Sequence, residues 1–219
     1  MSGGSSQTVP EKLFLFDFDG VLVDSLSLYE KSVNLCLERI NQRPIETREE
    51  FLDLFEENFF SAIAKRGVDV GEFMAASKAV TPTLDYSVTR PFTELLPVLA
   101  QLKKRSALVI ISSNSSFAIR LMLAKFGFEP FFDDILGADF NFSKVEKILY
   151  AKGHYGTNSG HTFYVCDTAG DVREAREAGV KTVAVTWGWH PRSRLERARP
   201  DVIVDDPKKL LGLALLTSS

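Results

Sequence analysis

Leu13-Phe14-Leu15-Phe16-Asp17-Phe18-Asp19-Gly20-Val21-Leu22-Val23-Asp24-Ser25 is the stretch from which the rest of the chain can be read. A short, continuous apolar run reads as a strand buried on both faces, and the acids that end it read as a polar loop beyond its carboxyl end. The same pattern recurs at 108–111, followed by Ser112, Ser113 and Asn114, and at 163–165, followed by Asp167. Residues 182–185 and 202–204 are two further strand candidates. Between the runs, apolar residues fall at helical spacing: Leu95, Leu99 and Leu102; Ile119, Met122, Leu123 and Phe126; Val172, Ala175 and Ala178 before Gly179. Strands alternating with helices predict an α/β core with a mostly parallel sheet, covered by helices on both faces.

The alternation fails between Ser25 and Val88, which hold only helical patterns. These are Tyr29, Val33, Cys36 and Ile40; then Phe51, Phe55, Phe59 and Ile63; then Val70, Phe73, Met74 and Ser77. That is too long for an ordinary crossover. The expected organisation is therefore a flexible Gly/Ser-rich tail over 1–10, a core over 11–24 and 89–219, and a helical subdomain over 25–88. A chain of 219 residues, 45% hydrophobic, has room for one such core with an insertion.

A net charge of −3 with interleaved signs offers no broad positive field, which argues against nucleic acid or an anionic membrane surface as partner. The longest apolar stretch, 210–216, is interrupted by Gly212 and falls short of the roughly 20 residues that cross a bilayer. Cys36 and Cys166 are not spaced as a metal or redox pair, so a reducing compartment, the cytoplasm, is expected. The oligomeric state is left open.

In open parallel sheets, ligands bind beyond the carboxyl ends of the strands. Those positions collect Asp17, Asp19, Ser112, Asn114 and Asp167, with Asp171 one helical turn further on. Any one of these acids reads most simply as a helix cap or a solvated loop residue. Gathered at one end of one sheet, they suit a hard cation such as Mg²⁺, which takes oxygen ligands and binds through one or two carboxylates plus a substrate phosphate.

The run Asp17 to Ser25 resembles the first motif of the haloacid dehalogenase superfamily, in its phosphoglycolate phosphatase-like branch. Ile110-Ile111-Ser112-Ser113-Asn114-Ser115 resembles the second motif, Phe142-Ser143-Lys144 the third, and Tyr164-Val165-Cys166-Asp167 with Asp171 the fourth. The similarity runs over about 13–211, with the motifs in order. It implies a Rossmann-like core with a helical cap after the first strand, and a Mg²⁺-dependent phosphatase acting on a small phosphorylated metabolite such as phosphoglycolate or a sugar phosphate. By the same resemblance Asp17 is the nucleophile that becomes an aspartyl phosphate, and Asp19 is the general acid and base. Ser112, Ser113, Asn114 and Lys144 would bind phosphate. Asp17, Asp19 through its backbone carbonyl, Asp167 and Asp171 would form the metal site, Asp171 directly or through water.

Departures from the family pattern are Cys166 and Ser143 where glycine commonly stands, and the absence of a glycine in Pro91-Phe92-Thr93. None removes a catalytic side chain. A phosphomutase would use the same residues while shielding its intermediate from water. A dehalogenase would lack the second acid of the first motif, whereas Asp19 is present. A phospho-receiver signalling module would be shorter and would carry its acceptor after a middle strand. A non-catalytic scaffold is argued against by the retained charged residues.

Other residues invite plainer readings. Asp24 is expected to cap a helix, as are Asp205 and Asp206 before Pro207. His154, His161 and His190 read as surface loop residues. The phenylalanines at 51, 55, 59 and 60 read as subdomain core, and Arg192, Arg194, Arg197 and Arg199 as a solvated helix face. Arg43, Arg48, Lys65 and Arg66 fit equally well as contacts to an anionic substrate or as exposed charge.

Overall fold

The computed structural model describes residues 10–215; apart from Pro10, the expected tail lies outside the described residues. The chain opens with β1 (Lys12–Phe16) and β2 (Val23–Asp24), then runs through α1 (Leu26–Arg39), α2 (Arg48–Asp53), α3 (Phe59–Lys65) and α4 (Val70–Val80). It re-enters the core through β3 (Arg90–Pro91), α5 (Leu95–Leu102), β4 (Ser106–Ile111), α6 (Ser116–Phe126), β5 (Asp134–Leu136) and α7 (Lys144–Tyr155). The remaining elements are β6 (Thr162–Cys166), α8 (Ala169–Glu177), β7 (Lys181–Val185), α9 (Arg192–Ala198), β8 (Val202–Val204) and α10 (Leu210–Leu215).

Six strands form one parallel sheet in the order β5-β4-β1-β6-β7-β8, with β1 near its centre. The continuous apolar run of β1 follows from that position, because successive side chains enter opposite layers. Phe14 and Phe16 pack with Leu95 and Leu99 of α5, Ile119 and Met122 of α6, and Leu210 of α10. Leu13 and Leu15 face the other way, toward Ile148 of α7, Val172 and Ala175 of α8, and Leu195 of α9. This is the α/β architecture expected from the sequence. The strand β5 was not expected; its three residues, Asp134-Ile135-Leu136, are too few to show a pattern.

The helices α1 to α4 bury their own apolar cluster, in which Val33, Leu37, Phe51, Phe59, Ile63 and Phe73 meet Ala138 and Trp189 from the core. The phenylalanine stripe is thus packed inside, but it is not one helix. Asn58 starts α3 by accepting from the backbone N–H groups of Phe60 and Ser61, which breaks the run after α2. The short ribbon β2–β3 pairs Val23 with Pro91 and Asp24 with Arg90 where the chain leaves and re-enters the core. Asp24 is therefore not the cap expected: it is exposed in that ribbon, and Ser25 occupies the N-cap position of α1. Asp206 does cap, accepting from Lys208 N. No helix among the described residues is long and apolar enough to cross a membrane.

Candidate active site

Strand β1 ends at Asp17, whose backbone N–H donates to Val165 O at 2.9 Å, fixing it against β6. At β6, the chain turns through Asp167 into α8, which Thr168 caps by accepting from Asp171 N. These two ends place oxygens of Asp17, Asp167 and Asp171 within 4.8 Å of one another, all buried. From the N-terminus of α7, the buried Lys144 reaches into this group, donating to Asp17 Oδ2 at 2.8 Å and to Asp171 Oδ1 at 2.5 Å.

Burial drives the Asp17 carboxyl well above the usual carboxylate range, with Asp171 and Asp167 adding to the rise and Lys144 opposing it. Burial also presses Asp171 upward, but the Lys144 ammonium and hydrogen bonds from Lys144, Asp17 and Thr168 outweigh it and leave this acid below its ordinary value. Lys144 itself resists desolvation through the attraction of Asp17 and Asp171, which hold it well above the ordinary lysine value.

Asp167 gives the clearest sign of what is to be bound. Its Oδ2 accepts from Trp189 N at 2.6 Å, whereas its Oδ1 is buried with no hydrogen-bond partner among the described residues. Burial pushes this carboxyl up to about 8. A buried carboxylate oxygen without a donor is costly unless a cation completes it. An all-oxygen donor set of three carboxylates matches a hard divalent cation, so the residues fit a metal. Space around Asp167 is tight: Gly20 has φ +78°, and a Cβ there would stand 2.0 Å from Asp167 Oδ2, so both its conformation and its bareness are required.

Asp19 stands outside the triad. Its carboxylate accepts from Ser25 Oγ at 2.5 Å and Asn114 Nδ2 at 3.0 Å, which aims it toward the helical segment. Burial raises this carboxyl, against the pull of those two hydrogen bonds. Ser112, buried at the end of β4, accepts from Asn114 N at 3.0 Å, so its own hydroxyl hydrogen can turn elsewhere. Asp17, Asp19, Ser112, Ser113, Asn114 and Lys144 line one cavity of about 20 Å³, together with Tyr29 and Phe55 of the helical segment and with Thr168 and Trp189.

Several residues at the site were not anticipated. Lys147, one turn after Lys144 on α7, is fully buried and donates to Ser112 O at 2.5 Å; its spacing from Lys144 was the available signal. Burial brings its ammonium down to about 7. Glu174 accepts from Lys144 N at 3.0 Å and from Asn58 Nδ2 at 2.9 Å, tying α7, α8 and the helical segment together. The indole Nε1 of Trp189 is buried with no partner among the described residues.

Two surface readings are corrected. His190 is fully buried: its Nδ1 accepts from Ala169 N, and its Nε2 faces Leu52 O at 3.0 Å. Arg194 is only 8% exposed, because Glu49, Asp53 and Glu56 of the helical segment converge on its guanidinium. His154 is exposed, although it lies in the last turn of α7, and His161 is half-buried.

A family profile described as "Haloacid dehalogenase-like hydrolase" matches residues 14–185. The chain is 31% identical over 202 residues to "Phosphoglycolate phosphatase" of Synechococcus elongatus, covering 90% of this chain and 94% of that protein. It is 29% identical over 214 residues to "Probable phosphatase IndB" of Dickeya dadantii, covering 92% and 93%. Among solved structures, "Crystal structure of a predicted phosphatase from Clostridium acetobutylicum" superposes with a TM-score of 0.77 at 21% identity, covering 93% of this chain and 99% of that one.

Proposed function

The chain belongs to the haloacid dehalogenase-like hydrolase family, and from that premise we propose that it is a Mg²⁺-dependent phosphatase that hydrolyses a small phosphorylated metabolite through an aspartyl phosphate on Asp17. The observation that carries the reading is the buried cluster of Asp17, Asp167, Asp171 and Lys144, with Asp167 Oδ1 left unpaired. Relatives named phosphoglycolate phosphatase and pyrophosphatase support a small phosphorylated substrate, and the reading takes in phosphoglycolate and sugar phosphates as its types.

Asp17, Asp167 and Asp171, with the backbone carbonyl of Asp19, would hold the metal. When bound, the metal supplies positive charge that offsets the repulsion between a carboxylate and a phosphoryl dianion. Lys144 supplies more, while the Ser112 hydroxyl and the groups of Ser113 and Asn114 hold the phosphoryl oxygens. Asp17 attacks phosphorus, and the bond to the leaving oxygen breaks as that oxygen takes the Asp19 proton. Asp19 then removes a proton from water, whose oxygen attacks phosphorus, releasing inorganic phosphate and restoring Asp17. Ser25 and Asn114 hold Asp19 on the leaving-group side, as those two proton transfers require.

Residues 25–88 act as a cap on a core of 11–24 and 89–219. The cavity supports that division, because Tyr29 and Phe55 of the helical segment line it together with Asp17 and Lys144 of the core, so that their movement off it would admit a substrate and their return would exclude water. We place the enzyme in the cytoplasm, a reading supported by two buried, unbridged cysteines.

The purified protein is expected to hydrolyse p-nitrophenyl phosphate with added Mg²⁺ and to stop in EDTA. Asp17→Asn should be folded and slower by about 10⁴-fold or more. Metal-independent turnover, or an active Asp17→Asn protein, overturns the mechanism.

A further inference from the structure

Asp19 lies at a junction. On one side is the cavity that holds Asp17 and Lys144; on the other is a second cavity of about 40 Å³, reaching into the helical segment. Since Asp19 is aimed that way by Ser25 and Asn114, the second cavity is where the alcohol released from phosphorus comes to lie. Among the described residues lining it there is no lysine, arginine or histidine. Its polar groups are neutral apart from Asp19: hydroxyls such as those of Ser32, Ser77, Thr81 and Tyr86 on the helical side, and Ser113, Asn114 and Ser115 on the core side, between apolar walls that include Phe73 and Met74.

The cations that could have served an anionic leaving group are engaged elsewhere. Arg43 pairs with Glu46, Arg48 with Glu30, Lys65 with Glu57 and Arg66 with Glu50, and none of the four lines either cavity. The positive end of the α6 dipole lies nearby at Ser115, but two of its first-turn amides are already used. Ser116 N donates to Asp139 Oδ1 at 2.7 Å, and Ala118 N donates to Ser115 Oγ. A carboxylate or phosphate placed here would be buried without a counter-charge, with the Asp19 carboxylate as its ionisable neighbour.

Resting on the phosphatase reading, we propose that the substrate is the phosphate monoester of a short, uncharged, hydroxyl-bearing alcohol, and that the cap cavity rejects esters whose leaving group is itself an anion. A volume of about 40 Å³ holds roughly three water molecules, which favours the short end of that class. Phosphoglycolate, whose leaving alcohol, glycolate, carries a carboxylate, is thereby a poor substrate even though relatives carry its name.

A matched pair of esters tests this. 2-Hydroxyethyl phosphate and 2-phosphoglycolate differ by a hydroxymethyl group against a carboxylate, and the full chain with Mg²⁺ should show kcat/KM at least about tenfold higher for the former. Glycerol 3-phosphate should follow the neutral ester, and pyrophosphate should follow phosphoglycolate. Ser77→Lys, which puts a cation in the wall, should move the ratio toward phosphoglycolate by about tenfold. If p-nitrophenyl phosphate is hydrolysed but phosphoglycolate matches or exceeds the neutral ester, the cavity inference falls and the phosphatase reading stands. If Ser77→Lys leaves the ratio unmoved, the leaving group does not lie in this cavity. Failure of every ester, p-nitrophenyl phosphate included, removes the phosphatase reading and the inference with it.

Discussion

The carboxyl end of the sheet gathers Asp17, Asp167, Asp171 and Lys144 in a buried cluster, whereas the helical segment facing them turns rings and hydroxyls inward and keeps its ions outside. Both surfaces are buried, yet they are stabilised in different ways. Charges in the core are tolerated because they pair with one another and form a donor set that fits a cation, so removing one strands the others. The helical side gains from aromatic contacts such as Phe55–Phe59, with ring centroids 5.4 Å apart, and from apolar burial, so a single change there is absorbed more easily. On the proposed function, chemistry and selectivity fall to surfaces that respond to mutation on different scales.

Lys144 is where that contrast should be greatest. Lys144→Met leaves Asp17 and Asp171 buried side by side without their shared donor. Activity should fall by about 10³-fold or more, and stability in EDTA by roughly 3–5 kcal/mol, with part regained on adding Mg²⁺. Phosphatase assays and denaturant melts with and without metal would check it; an active variant would show that the charges of the site are not coupled as described.

The next effects lie on the seam where the two surfaces meet. Gly170 N donates to Phe55 O at 2.8 Å, and a Cβ on Gly170 would stand 2.4 Å from Glu57 O. Gly170→Ala should push residues 55–57 off α8, lowering kcat/KM about tenfold and stability by about 1–3 kcal/mol, as overpacking does. A variant unchanged in both would mean that this approach does not hold the segment down. Arg194→Met should cost about 2 kcal/mol in a urea titration, since it leaves Glu49, Asp53 and Glu56 without the guanidinium on which they converge.

What could be read in advance follows the same division. Strands β1, β4 and β6 announce themselves because a buried parallel strand is apolar throughout and its end is polar, which places Asp17, Ser112 and Asp167 without knowledge of contacts. Arg194 and His190 could not be read that way. Their burial comes from Glu49 and Leu52, far away in the chain, and a basic residue on a helix looks the same whether it meets solvent or three acids. The lining of the second cavity was equally hidden: Phe73 and Met74 at helical spacing signal burial, not whether what they bury is another side chain or a substrate.

Lys147 offers a smaller effect with a defined sign. Its ammonium is brought from 10.5 to about 7 by burial, so between about pH 7 and 10.5 the unfolded chain binds a proton that the folded chain does not. Stability from this group therefore rises with pH across that window and is lost as pH falls through 7. Lys147→Met should flatten the slope of unfolding free energy between pH 7 and 9.5. An unchanged slope would mean that Lys147 stays charged against the Ser112 carbonyl.

The smallest effects are expected from the charges on the outside of the helical segment. Arg43, Arg48, Lys65 and Arg66 each face a carboxylate in partial or full contact with water, where an ion pair contributes about 0–1 kcal/mol. Replaced one at a time by alanine, they should leave melting curves nearly superimposable and kcat/KM within about twofold for both neutral and anionic esters. The comparison with phosphoglycolate is the sharper one, because a cation that met its carboxylate would reveal itself as a loss confined to that substrate. A tenfold loss for phosphoglycolate alone in any of the four would mean that the helical segment swings a charge inward during turnover. The difference between an ionic core and a neutral cap would then hold only for the closed arrangement.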